Sequence, residues 1–191
     1  MIYEFFTHWH EKIVESNSGI NLALLISLVG LTFSGFNFWY LMERKGKTVA
    51  YAPTSFGLYS SFQEGLILRL PVVFESTGAK PRIIRNLRLI IENHPEAGPI
   101  IWNSTRDDMF PSAEGRIKTP AAFVVAGRSA VEQLYEFKGE FLSLTTLAKN
   151  LNLKLEVIVG NKNEWRQILD FTLNTSQVKT PGNLLSYGNL N

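Results

Sequence analysis

Side chains with the chemistry for catalysis or metal binding are few and poorly grouped. The histidines are His8, His10 and His94. His8 and His10 stand two residues apart beside Glu11, a spacing that turns the imidazoles to different faces of a helix, and no third ligand is evident. His94 precedes Pro95, where a turn role is expected. The absence of cysteine excludes thiolate catalysis, Cys-based zinc sites and disulfides together. No Gly-x-Ser-x-Gly elbow, Walker-type loop, paired dinucleotide glycines or kinase signature occurs. No catalytic residue, metal ligand or cofactor is assigned on this basis, and a non-enzymatic protein is expected.

Two charged groups remain. Arg106, Asp107, Asp108 and Glu114 crowd the stretch from Trp102 to Pro120, but without the regular acidic spacing of a calcium loop, so solvated charges are expected there. Arg69, Lys80, Arg82, Arg85 and Arg88 form the densest basic stretch. A net charge of +2 falls well short of the basic face that a phosphate backbone requires, so no nucleic-acid partner is expected. Lys80, Arg82 and Arg88 are the candidates for contact with anionic lipid headgroups. Arg85 reads as an interruption of its strand's apolar face, at the edge or paired with a carboxylate.

The element that must carry these groups to a membrane is the run from Gly19 to Met42, which holds no charged side chain. At 1.5 Å per residue, about 20 apolar residues cross a hydrocarbon layer of roughly 30 Å. Trp39 and Tyr40 fall where aromatic rings favour the lipid–water boundary, and Arg44, Lys45 and Lys47 follow as interface cations. A cleaved signal peptide is disfavoured, because Glu4, Glu11 and Glu15 face only Lys12 ahead of the run. The cations after the run place the following domain in the cytoplasm by the positive-inside tendency, with an exported domain as the alternative.

Within the helix, Ala23, Ser27, Gly30, Ser34 and Asn37 recur at heptad-like spacing on one face. Lipid offers no hydrophobic drive between helices, so association depends on close backbone approach and interhelical hydrogen bonds. Small residues permit the first, and Ser and Asn supply the second. Self-association, or packing on a partner's transmembrane helix, is expected.

Beyond the helix the pattern changes to period two. Leu66, Leu68, Leu70, Val72 and Phe74 share one face, as do Ile83, Arg85, Leu87, Leu89 and Ile91. Leu153, Leu155, Val157 and Val159 form a third such row, and Leu169, Phe171 and Leu173 a fourth. With shorter runs at Ile100–Trp102, Ala121–Val125 and Val131–Phe137 they predict seven or eight strands. One later helix is expected from Phe141, Leu144, Leu147 and Leu151. The chain thus divides into an amphipathic segment at 1–18 with Ile2, Phe6, Trp9 and Ile13 on one face, a transmembrane helix at 19–43, a linker at 44–55, a β domain at 56–175 and a mobile tail at 176–191.

Short antiparallel strands between Gly, Pro, Asn and Ser turns suggest an immunoglobulin-like sandwich, with a small barrel as the alternative. The run Leu70-Pro71-Val72-Val73-Phe74-Glu75-Ser76-Thr77-Gly78-Ala79-Lys80-Pro81, followed by Ile84–Leu89, resembles a strand–turn–strand pattern of immunoglobulin-like domains. Phe123-Val124-Val125-Ala126-Gly127-Arg128 resembles a later strand and turn of the same domains, while Ser76 stands where Asn is more usual. Bacterial single-pass membrane proteins of similar layout join an N-terminal anchor to such a domain; the resemblance implies the fold and no activity.

The expectation is a membrane-anchored, non-enzymatic interaction module that contacts lipid, assembles through its helix as a homo-oligomer or on a partner helix, and engages a further protein partner. The alternative is a subunit of an oligomeric membrane effector or channel gated by the β domain.

Overall fold

A computed structural model of the protein describes residues 22–61, 65–109, 116–140, 150–176 and 185–188. The amphipathic segment at 1–18 with its two histidines, the helix expected from Phe141, Leu144 and Leu147, and Glu114 lie outside the described residues. Two compact units divide at Arg44 and Lys45.

The first unit contains helix α1 (Leu22–Glu43), long and apolar enough to cross a membrane. Its last turn, Trp39–Glu43, is π-helical, closed by the Arg44 N–H donating to the Trp39 carbonyl at 3.0 Å. That i−5 bond takes one extra residue into the turn. The Thr32 hydroxyl returns to the Leu28 carbonyl at 2.7 Å, which satisfies the polar group within the helix itself.

The second unit is built from β1 (Thr48–Tyr51), β2 (Ser55–Ser61), β3 (Gly65–Ser76), β4 (Arg82–Ile91), β5 (Pro99–Arg106), β6 (Ile117–Lys118), β7 (Phe123–Val125), β8 (Ala130–Gly139), β9 (Asn150–Val159), β10 (Trp165–Asn174) and β11 (Leu185–Gly188). Hydrogen bonding joins them in one antiparallel sheet, ordered β10-β9-β4-β5-β8-β3-β2-β11, nearly closed into a barrel. An immunoglobulin-like sandwich requires two separate sheets, so the barrel alternative is the closer description. Two long strands cause the difference. One edge of β3 pairs with β2 from Gly65 to Arg69 and with β1 from Val73 to Ser76. Pro71, which has no N–H to donate, falls between those two stretches. In the same way β4 pairs with β7 through Arg82–Ile84 and with β5 through Arg88–Ile90.

The expected linker therefore contains a strand, β1, and the expected mobile tail contains another, β11, paired with β2. Period-two alternation places Leu66, Leu68, Leu70, Val72 and Phe74 inside, together with Leu151, Leu153, Leu155 and Val157. Leu151, expected at the end of a helix, is a strand residue. Each such leucine contributes roughly 1.5–3 kcal/mol by burial. The centre of the core is aromatic: Tyr135 lies 5.6 Å from Phe74 and 5.7 Å from Trp102 between ring centroids.

The phase expected for β4 holds only in part. Ile84, Leu87, Leu89 and Ile91 are the buried residues, and Ile83 is exposed. A bulge against β9 between Ile84 and Asn86 makes Arg85 the extra residue. One added residue inverts the alternation, so Arg85 leaves the apolar row and its guanidinium reaches the Gly160 carbonyl at 3.4 Å.

Candidate functional site

On α1 the face bearing Ala23, Ser27, Gly30 and Ser34 is exposed, and Asn37 is partly covered. A side chain added at Gly30 would meet nothing within 4 Å. The bulky residues are equally uncovered, including Leu24, Leu28 and Phe33. At the helix end Phe36 stacks on Tyr40 at 6.3 Å and lies 6.1 Å from Trp39, while the Arg44 guanidinium sits 5.1 Å over the Tyr40 ring. Aromatic rings capped by a cation suit a lipid–water boundary, where one end of each group is apolar and the other wet. Lys45 is exposed, and the Lys47 backbone is held by Thr77: its N–H donates to Thr77 Oγ1 at 2.9 Å, and its carbonyl accepts from the Thr77 N–H at 3.1 Å. The Ser76–Lys80 turn is clasped on its other side by 127–129, where the Arg128 N–H donates to the Gly78 carbonyl at 2.8 Å.

Lys80, Arg82 and Arg88 do not form one patch. Lys80 lies in the turn before β4. Arg82 begins β4 in phase with the inward Ile84, and its Nη2 donates to the Gly46 carbonyl. Arg88 lies past the bulge on the outward face, with Nε 2.6 Å from Glu156 and its guanidinium 4.3 Å over the Trp165 ring. A carboxylate and an indole together satisfy much of that cation.

A polar cluster not foreseen from the sequence lies on the outer face of β3, β5 and β8. Arg69 and Glu136 are directly opposed across β3 and β8, and Ser104 opposes Glu136 from β5. Arg69 Nε donates to Glu136 at 2.8 Å, and Arg106 Nη2 and Ser104 Oγ each donate at 3.0 Å. Asn103, the extra residue of a second bulge, adds its amide at 3.2 Å. Arg69 is itself tied to the Met109 carbonyl at 2.7 Å, so the 107–109 segment covers the pair. Glu136 is only 2% exposed and Arg69 5%. Burial pushes the Glu136 carboxyl up, but hydrogen bonds from Arg106, Arg69 and Ser104 outweigh it and hold the group below its ordinary range. The neighbouring Tyr135 phenol is pushed far up by burial, donates to Gln133 at 3.1 Å, and is neutral at any physiological pH. The sequence held one signal for this cluster: Arg69 interrupts the otherwise apolar run Leu66–Leu70.

Among the clefts that open from the described residues, two hold grouped charges. One, of about 460 Å³, lies beside the cluster, with Arg106 and Lys118 set against Asp107 and Glu132; Lys118 and Asp107 pair at 2.9 Å. The other, of about 270 Å³, lies where β1 approaches β10 and is lined by Lys47, Thr48, Arg82, Val159, Arg166 and Gln167, among others. Among the described residues no group of three or more His, Asp or Glu side chains could hold a metal ion.

No family model and no curated protein matches the chain. Among solved structures, 67% of the chain matches 27% of a family 123 glycoside hydrolase from Clostridium perfringens, at 12% identity and a TM-score of 0.30. The chain therefore spans about a quarter of that structure's length. The matched protein is an enzyme, so the expectation of a non-enzymatic chain is withdrawn. At a TM-score of 0.30 the likeness carries no further argument and transfers no activity.

Proposed function

We propose that the chain is a membrane-anchored protein-interaction module that assembles through α1, with its β domain on the cytoplasmic side. The observation that carries this reading is the uncovered seam Ala23–Ser27–Gly30–Ser34 with Asn37 at its end. Nothing within 4 Å of the Gly30 face obstructs the approach of a second helix backbone. In hydrocarbon, backbone approach and polar side-chain contacts supply most of the association, and the seam offers both. The Tyr40–Arg44 contact and the run of cations after it support the placement of the helix end at an interface.

The domain brings a means of engaging a protein as well. The hydrogen-bonded path ends on β10 and β11, and a terminal strand of a sheet is the element on which an extended segment of a partner pairs.

The test is crosslinking of the full chain in liposomes, comparing the natural sequence with Gly30→Leu combined with Ser34→Leu. The expected result is a crosslinked species for the former and its loss for the latter. Equal crosslinking of the two overturns the packing reading.

A further inference from the structure

We infer that the cleft between β1 and β10 is a binding site for a small phosphate-type anion, such as a phosphomonoester headgroup. Its lining brings together Lys47 from the segment before β1, Arg82 from the start of β4 and Arg166 from β10, and no carboxylate among the described residues. The sequence separates these residues widely, and only closure of the sheet collects them. By contrast, the larger cleft near Glu136 is balanced, with two cations and two carboxylates in its lining.

The three cations differ in a useful way. Arg82 is fixed through its Nη2 on the Gly46 carbonyl, and its Nε is shielded from solvent without a hydrogen-bond acceptor among the described residues. A buried donor left unpaired is costly, and a turn of the guanidinium toward the cleft, whose wall Arg82 already forms, would bring it to an anion oxygen. Lys47 and Arg166 are exposed and form no ion pair among the described residues. The Gln167 amide, also in the lining, is held by Asp170 at 2.9 Å. The guanidinium fork matches phosphate oxygens in pairs, and the ammonium adds a point charge. A volume of about 270 Å³ accommodates a headgroup-sized anion.

Such a group could come from a lipid or from solution. Three residues, 44–46, lie between Glu43 at the end of α1 and Lys47, and four steps of covalent chain reach about 14 Å at most. A lipid source rests on the membrane reading of α1; a free phosphate source does not.

The experiment uses the full chain in nanodiscs of phosphatidylcholine, with inorganic phosphate titrated by calorimetry, and in matching discs that also contain phosphatidic acid. Saturable phosphate binding in the plain discs is expected, weakened roughly tenfold by each of Arg166→Gln and Lys47→Gln, the loss of one charge-assisted hydrogen bond. Both positions are exposed, so these variants fold even if Arg82→Gln does not. Arg88→Gln, whose guanidinium is taken by Glu156 and Trp165, leaves the affinity unchanged. If phosphatidic acid abolishes the phosphate titration and is retained by the purified chain, the source is the lipid. If the titration is the same in both discs, the source is free phosphate. The inference fails if neither anion binds, or if binding is the same in Lys47→Gln and Arg166→Gln as in the natural chain.

Discussion

Replacing Glu136 by Gln removes one negative charge from between two guanidinium groups and changes little in volume. In the native domain the carboxylate accepts from Arg69, Arg106, Ser104 and Asn103, and its side chain is 3% exposed. A glutamine oxygen in place of Oε1 retains the contacts to Ser104, Asn103 and Arg106. Its amide nitrogen then falls where Oε2 stood, 2.8 Å from Arg69 Nε and 3.0 Å from Arg106 Nη2, donor against donor. Breaking a buried pair from one side costs about 3–5 kcal/mol. Because the retained contacts offset part of this, about 3 kcal/mol is expected. For a domain of this size 1 kcal/mol shifts Tm by roughly 2–4 °C, so Tm falls by about 6–12 °C. Thermal unfolding of the full chain in detergent, followed by near-ultraviolet circular dichroism, measures it, since Trp102 lies on β5 beside the cluster.

The pH dependence has a definite sign. The folded Glu136 carboxyl lies below its ordinary value of 4.5. Its contribution is therefore complete above that value and is lost as pH falls through the lower, folded one. The gap between the natural chain and Glu136→Gln should close on acidification over that window and stay constant above it. The double variant Arg69→Met with Glu136→Leu removes the directly opposed pair but leaves Arg106, Ser104 and Asn103 without their acceptor, so it should recover only part of the loss. A Tm for Glu136→Gln within about 2 °C of the natural chain, less than the shift from 1 kcal/mol, would refute the reasoning.

Gly30→Leu with Ser34→Leu should abolish the crosslinked species without changing domain Tm, because the substituted face belongs to α1 alone. Gly127→Ala should destabilise the domain by about 2–3 kcal/mol, since its Cβ would collide with the Ala79 carbonyl and backbone has little freedom to yield; a Tm measurement checks it. Protease added outside sealed right-side-out vesicles should leave a C-terminal tag intact if the β domain is cytoplasmic, whereas digestion overturns the orientation.

Local pattern by itself determined a good deal. The charge-free run that becomes α1 is a property of composition, and the alternation of Leu66–Phe74 and Leu153–Val157 is a property of adjacent residues, so both are legible without partners. The strands β1 and β11 were less legible, because four-residue segments carry too little alternation to stand out from a linker or a tail. Tertiary structure decided the rest. Bulges at Arg85 and Asn103 depend on the register of a facing strand, and each shifts which residues point inward. Whether the sheet splits in two or curls on itself depends on β3 and β4 each serving two neighbours along one edge. Glu136 and Arg69 are 67 residues apart and meet only through that register. The convergence of Lys47, Arg82 and Arg166 has the same origin: sequence supplied the cations, and sheet closure supplied the distance between them.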